Sequence, residues 1–374
     1  MVRWRMFKEI SMSEDLTERV DGFVEMAWLG ETPWHGLGQE MQPGDSLAQW
    51  QRQAGMDWTI ERAEVEFRAH GQLYGMADAA SSQSSYARGR SWMFPRRQVL
   101  YRSDNCVGLG VVSNRYKEVQ PAQVLDFFAR YLEQNRWQMS AAGTLRNGAV
   151  LWATARTGRG AEVVAGDVVE QYVLLSTSCD GTSSTEARLT NVRVVCANTL
   201  AEARGVKASV KVRHNNKFDQ EQVQQELQLG HLGELAMPFD VFMHAARSLA
   251  ARPVSRSMAE DYVLAVAHRV RSGFLQPAWD ARQALTDLPQ GQLRQSLQRG
   301  DAYKKMMALF DGEGRGANMP GTQGTAWGLI NAVTEYVDHQ PKGTRQSAAD
   351  RYFSAWLGRG QALKQEALTM ARLL

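Results

Sequence analysis

Asn147-Gly148 stands between two apolar runs, Trp137 to Leu145 and Ala149 to Thr157. No other pair of neighbours constrains the folding of this chain so tightly. Asn-Gly readily takes the positive-φ backbone of a tight hairpin turn, so the pattern predicts two antiparallel strands. Similar runs surround it. Asp167 to Thr177 and Glu186 to Val195 read as a second long antiparallel pair, and Gln98 to Arg102 and Val107 to Ser113 as short strands around a turn at Ser103-Asp104-Asn105. Trp58 to Phe67 alternates as a strand with one slip near Arg62, and Leu73 to Met76 is its expected partner. Pro121 sits where a helix begins, with Val124, Phe127, Phe128, Tyr131 and Leu132 on its apolar face.

After Phe218 the chain changes character. Residues 219–229, 237–251, 257–270, 278–299, 326–339 and 348–374 read as helices, and Gly312 to Gly324, with five glycines and a proline, as a flexible loop. The expected fold class is therefore α+β: an antiparallel sheet meander with a packed helix, followed by a mostly helical C-terminal domain. The expected division is an N-terminal segment at 1–57, a basic sheet domain at 58–217 and the helical domain at 218–374.

The net charge of +3 is unevenly spread. Residues 1–86 carry 7 Lys/Arg against 14 Asp/Glu, residues 87–217 carry 19 against 10, and residues 218–374 carry 17 against 16. A basic middle points to a polyanion, and single-stranded DNA is the expected partner. No apolar run approaches the ~20 residues of a membrane span, and the first residues lack the apolar core of a signal peptide. Three cysteines in so long a chain fit a reducing, cytoplasmic setting. No C-x-x-C or His-rich spacing suggests zinc, and no G-x-x-x-x-G-K-[ST] loop is present, so no cofactor is expected.

Three sets of residues form the expected nucleic-acid surface. The hydroxyl-dense stretch Leu175 to Leu200 ends in a strand bearing Arg188, Asn191 and Arg193, followed by a basic tail with Lys207, Lys211 and Arg213. Arg188 and Arg193 are an odd number apart, so a regular strand sets them on opposite faces unless a bulge intervenes. The tail cations are evenly spaced and share a face. Arg115-Tyr116-Lys117 offers a ring between two cations, able to stack on a base or anchor the core. Arg88 and Arg90, with Arg96 and Arg97, interleave with Trp92 and Phe94, a pattern suited to single strands because every base has a π-face. Two catalytic readings stand beside these. Cys179 is a candidate nucleophile if His35 or His214 serves as its base, and Glu335, Asp338 and His339 share a helix flank that could hold a metal.

The same hydroxyl-dense stretch, with WHGLG (Trp34 to Gly38), VSNRYKEVQP (Val112 to Pro121), GTAWGLINAVTEYVDH (Gly324 to His339) and SAWLGRGQALKQEAL (Ser354 to Leu368), resembles the phage- and plasmid-associated proteins of domain of unknown function family 932. That resemblance implies a mobile-element setting. The arrangement of strands, helix and basic hairpin is also similar, at fold level, to single-strand annealing proteins of the RecT, Erf and lambda Bet type. The expected function is an ATP-independent single-stranded DNA-binding and strand-annealing protein, without covalent chemistry, forming a homo-oligomeric ring or filament. The alternatives are a protein-binding anti-defence or regulatory factor, meeting host or plasmid proteins, and a nuclease or other hydrolase.

Overall fold

The computed structural model describes residues 17–19, 21–30, 37–69, 90–181, 185–193, 198–200, 209–212, 236–272, 280–339 and 359–374. Its architecture is α+β, with antiparallel sheets first and helices at the C-terminus.

The hairpin forms where Asn147-Gly148 predicts it. β6 (Gln138–Leu145) and β7 (Val150–Glu162) pair antiparallel, and the turn places Asn147 at φ 55° and Gly148 at φ 93°. Glycine is needed at 148 for a second reason. A Cβ there would lie 2.7 Å from the Trp58 ring and 2.9 Å from the Arg102 guanidinium.

β8 (Val168–Ser178) and β9 (Thr185–Arg193) extend this sheet, and β10 (Asn198–Leu200) and β11 (Ser209–Val212) both pair with β9. On the other side β1 (Met26–Leu29) pairs antiparallel with β6, and β2 (Gln39–Met41) lies parallel to β1. Part of the N-terminal segment is therefore built into the main sheet rather than standing apart from it. α2 (Pro121–Gln134) opens on Pro121 as expected and packs Leu125, Phe128 and Tyr131 against Leu151, Val173 and Leu189 of one sheet face. α1 (Leu47–Gln53), capped by Ser46 and Gln49, joins that core through Trp50.

A second sheet is built from β3 (Ile60–Ala69), β4 (Arg90–Arg102) and β5 (Gly108–Ser113), in that order. The partner of β3 is β4; Leu73 to Met76 lie outside the described residues. Glu64 pairs with Gln98 but Glu66 pairs with Met93, so Phe94 to Arg97 bulge opposite Val65, with Arg96 at φ 60°.

A buried ion cluster joins the two sheets. Arg102 of β4 donates to both oxygens of Glu25 at 3.0 and 2.6 Å, binds Asp104, and lies 4.4 Å over the Trp58 ring. Both Arg102 and Glu25 are fully buried. Such a pair contributes fixed geometry more than net stability, since desolvation offsets much of the attraction.

The helical layer comprises α3 (Ala236–Ala250), α4 (Arg256–Arg271), α5 (Ala281–Thr286), α6 (Gly291–Arg299), α7 (Asp301–Ala308), α8 (Ala326–His339) and α9 (Arg359–Ala371). The single helix expected over 278–299 is two, because Pro289 removes a donor and interrupts it. α7 begins after Gly300 without a side-chain cap, so the sequence carries no strong local signal for it. Residues 219–229 lie outside the described residues. Phe242, Val263, Met306 and Trp327 form a second core, which meets the sheet at Val169 of β8 and includes Val163, just past the end of β7.

The glycine-rich loop at 312–324 is pinned rather than flexible. Arg193 reaches it with hydrogen bonds to the Arg315 and Gly316 carbonyls, both at 3.2 Å, and to the Thr322 hydroxyl at 3.0 Å. The same guanidinium grips Asp167 through two bonds of 2.6 and 2.9 Å, and Asp167 accepts the Trp327 indole N–H at 2.9 Å. Glu335 accepts the Arg315 backbone N–H at 3.0 Å.

Candidate nucleic-acid interface

Side chains alternate along a strand. In β3 this sets Ile60, Arg62, Glu64 and Glu66 on one face and Glu61, Ala63, Val65 and Phe67 on the other. Cross-strand pairing extends the second face. Trp92 lies opposite Phe67, Val99 opposite Ala63, and Val111 opposite Val99. Phe94, two residues from Trp92, lies edge-on to Phe67 with ring centroids 6.3 Å apart. The first face turns inward at its base, where Ile60, Leu100 and Val112 are buried. The second is turned to solvent: Phe67 is 47% exposed, Trp92 39%, Phe94 48% and Val111 57%. Contiguous exposed apolar surface is a common feature of contact sites on folded domains, which makes this face the candidate site.

The charges around this strip are sorted. Exposed Glu64 and Glu66 lie on the face away from the rings, leaving Glu61 as the acid of the aromatic face in β3. Arg96 and Arg97 are exposed in the bulge. Arg97 pairs with Ser113, two residues before Arg115, and Arg115 and Lys117 are exposed as well. Arg96 and Arg97 thus follow the rings directly in β4, while Arg115 and Lys117 stand in the segment after β5, whose Tyr116 carbonyl and Glu118 carboxylate bind Arg62 on the inward face.

Other expected site residues fall elsewhere. Tyr116 anchors the core. Its half-buried ring packs beside Gly181, its carbonyl accepts from Arg62 at 2.7 Å, and burial pushes its hydroxyl pKa up. Arg193 and Asn191 are fully buried on the inward face of β9, so neither meets solvent as a phosphate contact would require. Arg188 is on the opposite face, as the odd spacing predicts, and no bulge interrupts β9. It is held by Glu186 at 2.6 Å. Ser176, Thr177, Ser178 and Thr185 are buried too, with the Thr177 and Thr185 hydroxyls 2.9 Å apart. These four hydroxyls are thus interior to the sheet rather than part of a phosphate cradle; Thr182, Ser183 and Ser184 lie outside the described residues. Arg90 heads β4 opposite Ala69, and Lys211 sits in β11 opposite Glu186. Arg88, Lys207 and Arg213 lie outside the described residues.

Phe67 and Val111 were not singled out from the sequence. The available signal was the slip near Arg62: Ile60 belongs to the inward face, whereas Ala63, Val65 and Phe67 belong to the outward one.

The catalytic readings gain no support from the geometry. Cys179 is buried, and burial, followed by the Asp180 charge, pushes its thiol up to about 12, far from the thiolate a nucleophile needs. In native-state alkylation, exposed Cys106 is expected to react and Cys179 to resist; rapid labelling of Cys179 in the folded protein would reopen the nucleophile reading. His35 and His214 lie outside the described residues. Asp338 is engaged by Lys364 at 2.7 Å, and among the described residues no group of three or more His, Cys, Asp or Glu is placed to hold a metal ion. Among the same residues no helix is long and apolar enough to cross a membrane.

The chain belongs to the family described as domain of unknown function (DUF932), whose model matches residues 108–356. No curated protein and no solved structure matches it. The matched region opens on the first residue of β5, so it contains Arg115, Lys117 and Val111, while β3 and the rest of the aromatic strip precede it.

Proposed function

We propose that the protein binds single-stranded DNA on the outward face of the β3–β4–β5 sheet and promotes annealing without ATP. The observation that carries this reading is the exposed strip of Phe67, Trp92 and Phe94, followed in β4 by exposed Arg96 and Arg97, with exposed Arg115 and Lys117 in the segment after β5 and two acids turned to the other face. Exposed rings offer bases a stacking surface, and the neighbouring cations neutralise phosphates. A strand held this way has less repulsion toward a second strand, which favours pairing. Assembly into a ring or filament would multiply such sites along one strand. The phage or plasmid setting and a cytoplasmic location belong to the same proposal.

The test is binding to labelled single- and double-stranded oligonucleotides across a salt series. Single strands are expected to bind more tightly than duplex. Replacing Arg96, Arg97, Arg115 and Lys117 together with Ala should flatten the slope of log affinity against log salt by about 3 units, from roughly 0.7 per phosphate contact. An unchanged slope in a folded variant would sink the proposal.

A further inference from the structure

The two edges of the small sheet are treated differently. At the β3 edge, the Gln120 side chain occupies both backbone groups of Ile60, accepting from its N–H at 2.7 Å and donating to its carbonyl at 3.2 Å. Exposed Glu61, Glu64 and Glu66 follow along that strand. Side-chain caps and charges are how folded proteins keep an edge strand from pairing with other chains. The β5 edge has none of this. Gly108 to Ser113 contains no charge and no proline. β4 is its strand neighbour, and among the described residues Gly108 to Val112 make no backbone hydrogen bond outside that ladder. Val111, in the middle, is more than half exposed.

We propose that the β5 edge is a docking strand for an extended acidic peptide of a partner protein, which adds to the small sheet beside β5. Backbone pairing would give the affinity, Val111 would give an apolar contact, and the charge preference follows from the surroundings. Exposed Arg115 and Lys117 lie just past the end of β5, and exposed Arg97 lies opposite Ser113. Exposed Glu61 shares the face of Val111 but stands on β3, with β4 between it and β5. Asp104 is bound by Arg102, Glu118 by Arg62, and Asp180 packs over Gly110 on the face away from Val111. This inference does not depend on single-strand binding by the aromatic face.

The experiment uses the full chain and two fluorescent ten-residue probes of equal charge, one alternating Glu with Val and the other alternating Glu with Pro. Proline cannot donate to a strand ladder. The Glu-Val probe is expected to bind at least about tenfold more tightly, since only it can add its hydrogen bonds to the edge, and to slow amide exchange at Gly108 to Ser113. Val111→Asp, at an exposed position, should weaken the Glu-Val probe about fivefold or more, by setting a like charge on the edge. Equal binding of the two probes, or binding of neither, overturns the proposal. So does displacement of both by oligo(dT) without amide protection at β5, which would make these cations a nucleic-acid surface alone. If neither probe binds while oligo(dT) does, the single-strand reading survives and the docking strand does not.

Discussion

Replacing Trp92 and Phe94 together with Ala is expected to weaken single-stranded DNA binding by about thirtyfold or more. Each ring that stacks on a base is worth roughly 1–3 kcal/mol, so losing two removes about 2–6 kcal/mol. The fold should be spared, because both side chains stand half in solvent and neither belongs to a buried core. The rings are distinct from the cations in what they govern. The double Ala variant should lower affinity at every salt concentration and leave the salt slope nearly unchanged, whereas the cation variant flattens the slope. Fluorescence anisotropy with a short oligo(dT), beside a thermal melt of each variant, reads both quantities. A folded Trp92→Ala/Phe94→Ala variant that binds as the parent does would remove the aromatic face from the site.

The largest effect on stability is expected from Arg193→Met. The change leaves Asp167 buried without its cation and frees three acceptors of the glycine-rich loop. Removing one partner of a buried ion pair typically costs about 3–5 kcal/mol, a large share of the stability of an ordinary domain. Urea unfolding followed by tryptophan fluorescence is a suitable measure, since the Trp327 indole N–H donates to Asp167. Changing both partners, Arg193→Met with Asp167→Leu, should recover much of the loss, because no uncompensated charge then remains. A single variant within about 1 kcal/mol of the parent would mean that the cluster is solvated in solution. The expected binding defect of Arg193→Met is no larger than its loss of folded protein explains, in contrast to the sequence-based reading of Arg193 as a phosphate contact.

Features that depend on neighbours in the chain were legible in the sequence. The Asn147-Gly148 turn, the helix opening at Pro121, the pairing of β8 with β9 and helices α3, α4 and α8 all follow from local periodicity and turn chemistry. Features set by distant partners were not. An arginine on one face of a strand reads the same whether water or another layer covers that face. The alternation of β9 correctly separates Arg188 from Arg193, yet nothing near Arg193 reveals that Asp167 and the loop before α8 close over it. The glycines at 312–324 likewise signal backbone freedom but not the contacts that remove it. At the candidate site, Trp92, Phe94, Arg96, Arg97, Arg115 and Lys117 were readable as interleaved rings and cations. Phe67 and Val111 became visible only once the β3–β4–β5 register placed them on the same face.

The position of β1 bears on how this chain is made. Ala27 pairs with Ala142, over a hundred residues further on. At roughly 5–20 residues per second of synthesis, β1 waits on the order of ten seconds before its partner strand exists. Through that interval Met26 and Trp28, buried in the finished protein, have no sheet to pack on, and Glu25 stays hydrated until Arg102 and the main sheet are in place. Such non-local pairing is slow to form and prone to aggregation meanwhile. β1 and β2 therefore act as a late-fitted border to the main sheet. A chain that lost them to proteolysis would present β6 as a bare edge, open to pairing with another copy.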